Sequence, residues 1–102
     1  MIADDLSKPQ ICEDEAGRIH AVGLSGGYCY YEQSTDGGAT KAVWLDGSTR
    51  RLVTQEIVSD EGPTVEALQN GIILVGLTLG DAVRVFRSRL DGWTFDLVGA
   101  VE

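Results

Sequence analysis

Residues able to do chemistry are few in this chain and thinly grouped. Glu32 follows Tyr30 and Tyr31, the one place where a carboxylate stands directly beside two phenols. It reads as the edge of a strand rather than as half of a catalytic pair. Arg18, Arg50, Arg51, Arg84, Arg87 and Arg89 could receive an anionic substrate, yet no spacing gathers them into one set. Arg87 and Arg89 alternate and read as solvated or paired side chains. His20 is the single histidine and could serve as a base. It alternates with Ile19 and Ala21, so packing within a strand is the stronger reading. With one His and only Cys12 and Cys29 there is no zinc pattern and no disulfide framework. Both cysteines read as small buried apolar residues in strands. No nucleophile elbow or phosphate loop occurs. The expectation is no enzyme, no cofactor and no metal.

Composition narrows the partners. The 102-residue chain carries a net charge of −8, which repels phosphate backbones and disfavours nucleic acid. No apolar run approaches the roughly 18 residues of a membrane span, so no membrane partner is expected. The opening Met1-Ile2-Ala3-Asp4-Asp5 lacks the basic-then-apolar layout of a signal peptide, so synthesis in the cytoplasm without export is expected.

The elements that must position these residues come from an internal repeat. Shifted by 54, the chain matches itself without a gap. Pro9 falls on Pro63, Gly17 on Gly71, Ile19 on Ile73 and Gly26 on Gly80. Ser34 falls on Ser88, Gly38 on Gly92 and Thr40 on Thr94. These are seven identities in the 32 positions from 9 to 40. Ordinary residue frequencies would give about two. Ile11 with Val65, Ala21 with Val75 and Tyr31 with Val85 add conservative pairs.

Turn chemistry divides each repeat into strands. Gly17 and Gly71 close the turns that begin at Asp14 and Leu68. Apolar stretches follow at 19–24 and 72–79, then Gly26-Gly27 and Gly80-Asp81 signal hairpins. The predicted strands are roughly 9–13, 18–24, 28–33 and a region within 41–58, then 63–67, 72–79, 82–88 and 94–101. Leu52, Ile57 and Val58 could mark a short helix, but Val53-Thr54 and Ile57-Val58 favour strand. Ile72-Ile73-Leu74-Val75 is apolar on both faces, which suits a sheet covered on both sides.

Ser34-Thr35-Asp36-Gly37-Gly38-Ala39-Thr40 resembles the Asp-box turn, Ser-x-Asp-x-Gly-x-Thr-Trp, of sialidases and related BNR-repeat β-propellers. Pro9, Gly17, Ile19–Val22 and Tyr28–Tyr31 follow the family's order around it. The resemblance covers about the first 40 residues and, through the repeat, residues 63–95. It implies an all-β single domain over 1–102, with two four-stranded antiparallel blades at about 9–58 and 63–102. Propellers typically need about four to eight blades, so closure by oligomerisation is implied, foremost as a homotrimer.

The motif's physics is a stapled hairpin. The Asp36 carboxylate accepts turn N–H groups, Gly38 supplies a left-handed backbone, and Ser34 and Thr40 lace the flanking strands. Lys41 stands where the family has a closing aromatic, so the apolar plug beneath the turn is either missing or supplied by Trp44. The second copy, Ser88-Arg89-Leu90-Asp91-Gly92-Trp93-Thr94-Phe95, keeps Ser88, Gly92, Thr94 and an aromatic, but Leu90 replaces the Asp. In the family this turn lies at the blade periphery, so it implies a fold element and no catalytic role.

Sialidase-like enzymes draw an arginine cluster, a Tyr/Glu pair and an acid from many blades. None of these can be assigned here. The implied function is a non-enzymatic structural or assembly protein, such as a phage tail, collar or capsid-associated virion component. The alternative is a carbohydrate-binding, lectin-like module forming a six-bladed homotrimer. Its candidate ligand residues are Trp44, Trp93, Tyr30 and Arg84, although packing, of Trp44 under the first turn and of Trp93 against a neighbouring blade, is the favoured reading of both tryptophans. Expected partners are further copies, other structural chains, or glycans.

Overall fold

The computed structural model of the protein describes residues 1–43, 47–58, 62–68, 71–79, 82–88 and 94–101, with the backbone alone at 99–101. Every regular element among them is a strand. β1 (Ser7–Glu13), β2 (Ile19–Ser25), β3 (Tyr28–Ser34) and β4 (Arg51–Leu52) form one antiparallel sheet in that order. β5 (Thr64–Ala67), β6 (Ile73–Leu79), β7 (Ala82–Ser88) and β8 (Phe95–Val101) form a second. The chain is thus all-β, with two four-stranded antiparallel sheets. Predicted and observed strand limits differ by one or two residues, except at β4.

Gly26 and Gly27 have φ of 61° and 87°. Left-handed backbone at both central residues is the type I′ geometry whose twist matches the flanking strands. It fixes Ser25 opposite Tyr28 and, up the ladder, Val22 opposite Tyr31. In the second sheet Gly76 pairs with Val85. Both members stand 54 further on (22 + 54 = 76, 31 + 54 = 85), so the repeat holds in register and not only in sequence. The corresponding turn at Gly80-Asp81 lies outside the described residues.

The fourth strand of the first sheet is much shorter than the 41–58 region offered. Beyond Leu52, the Val53 N–H still donates to the Cys29 carbonyl (3.0 Å) and the Val58 N–H to that of Gly27 (2.7 Å). Residues 54–57 leave the ladder between those bonds. Val53 and Val58 are both buried in the core, so apolar burial holds this stretch where a continuous ladder does not.

The two sheets pack face to face over one core. Val22, Leu24, Cys29 and Tyr31 from the first sheet meet Ile73, Val75, Leu77, Leu79 and Phe86 from the second, with Val65, Ala67 and Phe95 at the margin. Cys29 is fully buried as expected, whereas Cys12 is only half-buried because β1 is an edge strand. Alternation along β2 and β3 puts Ile19, Ala21, Gly23, Tyr30 and Glu32 on the opposite side. There a second cluster forms, in which Ile2, Ala3 and Leu6 cover Ala21 with Ile19 and Tyr30 around it. The first sheet is therefore covered on both faces, by the second sheet and by residues 1–6. No sequence signal marked those six residues as part of the core.

Candidate functional site

Three arrangements bring polar groups together. The first is the turn at residues 34–40. Ser34 Oγ donates to Asp36 Oδ1 (2.7 Å) and accepts the Gly38 N–H (2.9 Å). The Thr40 N–H donates to Asp36 Oδ1 (2.9 Å), and the Thr40 hydroxyl donates to Asp36 Oδ2. Gly38 has φ of 97°. The hydroxyls of Thr40 and Ser34 hold the Asp36 carboxyl well below the usual carboxylate range. All of Asp36's partners are its own turn, as a staple requires. Lys41, in the place of the closing aromatic, carries its ammonium to Asp4, Asp5 and Glu32. A Cβ on Gly38 would meet Ile2 Cγ2 at 3.4 Å, and the Ile2 N–H donates to the Gly38 carbonyl (3.0 Å). Trp44 lies outside the described residues.

The second copy behaves differently. Ser88 is buried, and its hydroxyl accepts the Ile73 N–H across the β6–β7 pair (2.8 Å). Ser34, in the first copy, is drawn instead to Asp36. Leu90 and Asp91, which take the places of Asp36 and Gly37, lie outside the described residues, and the described partner of the Ser88 hydroxyl is a strand N–H. Gly92 and Trp93 also lie outside the described residues, and Thr94 is exposed just before β8.

The second arrangement is a line of buried hydrogen bonds. Asp14 Oδ2 lies 2.8 Å from His20 Nε2, and His20 Nδ1 lies 2.6 Å from the Tyr31 hydroxyl. A carboxylate facing Nε2 requires a proton there, so Nδ1 accepts from the Tyr31 O–H. Gln33 Nε2 donates to the same phenol oxygen (3.1 Å). Arg18 Nε donates to Asp14 Oδ2 (2.8 Å). Burial lowers the His20 pKa more than Asp14 raises it, which keeps the ring neutral. Burial alone would raise Asp14, but hydrogen bonds from His20, the Arg18 N–H and the Arg18 side chain bring it down to about 2. An Asp-His-hydroxyl line is the order of a nucleophilic relay. Here Tyr31 is completely buried, and burial pushes its phenol up, so its oxygen meets no substrate. His20 is packed as expected.

The third arrangement overturns the reading of Glu32 as a strand edge. Glu32 is fully buried in an interior strand. Its carboxylate accepts the Ala3 N–H (2.6 Å), Arg50 Nη2 (3.0 Å) and Nε (3.3 Å), with Lys41 Nζ at 3.3 Å. Arg50 also pairs with Asp5, and Lys41 with Asp4 (3.1 Å) and Asp5 (3.5 Å). The Arg50 guanidinium lies 5.2 Å from the centre of the Tyr30 ring. Five charged groups thus pin residues 1–6 to the first sheet.

Of the ligand candidates, Tyr30 and Arg84 lie within the described residues, and these two are not brought together. Tyr30 lies on the side covered by residues 1–6. Arg84 shares the side of Ala82 and Phe86, between the sheets, where its Nε is buried with no hydrogen-bond partner among the described residues. The first sheet separates the two. Among the described residues no group of three or more His, Cys, Asp or Glu side chains could hold a metal, and no helix is long and apolar enough to cross a membrane.

Comparison with protein-family models, curated proteins and solved structures finds no match. What remains as a candidate is a surface. The outer side of the second sheet presents Thr64, Glu66, Leu74, Gly76, Thr78, Val83, Val85 and Arg87, placed together by register and alternation. Val83 is 45% exposed. Gly76 leaves a depression of about 260 Å³ between Thr64, Glu66, Leu74 and Val85. A Cβ there would meet Thr64 Oγ1 at 2.7 Å. Among the described residues nothing covers this face.

Proposed function

We propose that the protein is a non-enzymatic, self-assembling β-propeller module whose two sheets are Asp-box blades. A single observation carries the reading. Under the 54-residue shift, the outer face of the second sheet is the counterpart of the first sheet's inner face. Gln10, Cys12, His20, Val22, Leu24, Cys29, Tyr31 and Gln33 correspond in turn to Thr64, Glu66, Leu74, Gly76, Thr78, Val83, Val85 and Arg87. The two sheets therefore stack front to back, as successive blades do, and not as mirror-related faces. Such stacking is heterologous: the second sheet's front is left over, ready for the back of another first sheet.

Repeating that contact closes a ring, and three copies would supply six blades, within the usual range. The buried Glu32 and Tyr31 favour a structural role over glycosidase chemistry. The family resemblance makes a virion tail, collar or capsid-associated part the setting of choice. Light scattering tests the assembly. Three copies of the 10.9 kDa chain are expected in the particle. A monomer persisting to about 1 mM, where binding of even about 4 kcal/mol becomes visible, refutes it.

A further inference from the structure

We propose that residues 1–6 are a displaceable cap, seated within the chain where the second sheet of another copy would dock. The inference rests on the front-to-back assembly above and adds what controls it. The first sheet's outer side corresponds, position by position, to the second sheet's inner side: Ile19, Ala21 and Gly23 to Ile73, Val75 and Leu77. The latter three receive the first sheet. The former three receive Ile2, Ala3 and Leu6 instead. The cap therefore occupies the docking face that the repeat defines.

The way the cap is held fits an exchangeable element. It adds no strand to the first sheet. Backbone contact is made by the Ile2 N–H on Gly38, and the Ala3 N–H is taken by the Glu32 carboxylate. Leu6 packs directly on the backbone of Gly23, whose Cβ, were there one, would lie 2.6 Å from Leu6 Cβ. Ala3, beside the Asp4-Asp5 pair, has φ of 57°. This is a left-handed conformation that non-glycine residues adopt at a cost, retained only while surrounding contacts impose it. Asp4 and Asp5 are bound by Lys41 and Arg50, which also hold Glu32. Release of the cap leaves both cations with Glu32 and relaxes the backbone, while exposing Ile19, Ala21 and Gly23.

The incoming surface is the second sheet of another copy, with Val83 and Val85 in the roles that Cys29 and Tyr31 play inside the chain. Apolar contacts of the cap are replaced by apolar contacts of the neighbour, so capping and association compete for one face.

Sedimentation or light scattering on three proteins tests this: the intact chain, a chain starting at Ser7, and that shortened chain carrying Val85→Arg. The shortened chain is expected to associate at about a tenfold lower concentration than the intact one. Val85→Arg is expected to abolish that gain. A folded shortened chain whose association is unchanged, while the intact chain assembles, overturns the cap and leaves the assembly reading standing. A gain that survives Val85→Arg also overturns it. Monomers in both cases overturn the assembly itself. Should the shortened chain not fold, hydrogen exchange on the intact protein decides. The Ile2 and Ala3 amides are expected to lose protection as concentration rises through association, and unchanged protection refutes displacement.

Discussion

Replacing Glu32 by Gln tests whether the charge cluster holds residues 1–6 in place. The carboxylate is fully buried and takes the Ala3 N–H, two nitrogens of Arg50 and the Lys41 ammonium. Removing one partner of a fully buried ion pair costs about 3–5 kcal/mol. That is an upper bound here. The Arg50 and Lys41 side chains are 25% and 20% exposed and keep Asp5 and Asp4 as partners. The Gln carbonyl can also keep the Ala3 N–H. Discounting for water and the remaining acids leaves about 2–3 kcal/mol. A domain of this size loses roughly 4–8 °C per kcal/mol, so melting should fall by about 8–24 °C. Glu32→Met should lose more, because the Ala3 N–H is then also stranded at about 1–3 kcal/mol. Pairing Glu32→Met with Arg50→Met should recover part of that loss, since apolar replacement of both partners is often near neutral. The assay is urea unfolding followed by circular dichroism, with exchange of the Ala3 amide read in parallel. A Glu32→Gln loss below about 0.5 kcal/mol, the range of ordinary surface substitutions, refutes the cluster as the anchor.

Three further outcomes follow from the site geometry. Ser88→Ala strands the buried Ile73 N–H and should cost about 1–3 kcal/mol in unfolding free energy. Ser34→Ala strands the Gly38 N–H and removes a donor to Asp36, and should cost a similar amount; a neutral result at Ser34 would reject the staple, and one at Ser88 the strand bond. Acidification should destabilise the fold in two stages. The folded His20 pKa is depressed, so its contribution is complete above the unfolded value of about 6.5 and fades as pH falls below it. Asp14 falls from 3.8 to about 2, so its contribution is complete above about 4 and is lost toward pH 2. Unfolding midpoints measured from pH 8 to pH 2 check both. A midpoint flat between pH 7 and 5, or a His20 ring that titrates at 6.5 or above by NMR, contradicts the neutral ring.

Much of the architecture is local and was legible from residue order. Glycines at 17, 26 and 71 and the 54-residue shift located strands to within a residue or two, because turns are decided by neighbours within four or five positions. The Asp36 staple was legible for the same reason: all its bonds fall between Ser34 and Thr40. Ser88, the counterpart of Ser34 in the second copy, is a different case. Its hydroxyl accepts the Ile73 N–H from the neighbouring strand, a contact no pattern of spacing records.

Tertiary structure alone decided which face meets which. A period of two separates the sides of a strand but does not name their partners, and those partners are distant in sequence. The core joins Val22 and Tyr31 to Val75 and Phe86. Glu32 looked like an edge residue because its neighbours in sequence are polar and aromatic. It is buried because Arg50, Lys41 and the Ala3 N–H, 9 to 29 residues away, converge on it. Residues 1–6 carried no strand pattern, only an acidic pair between apolar residues. Their place against Gly23 and Glu32 follows from cations supplied by Lys41 and Arg50 and from a face left bare by the first sheet.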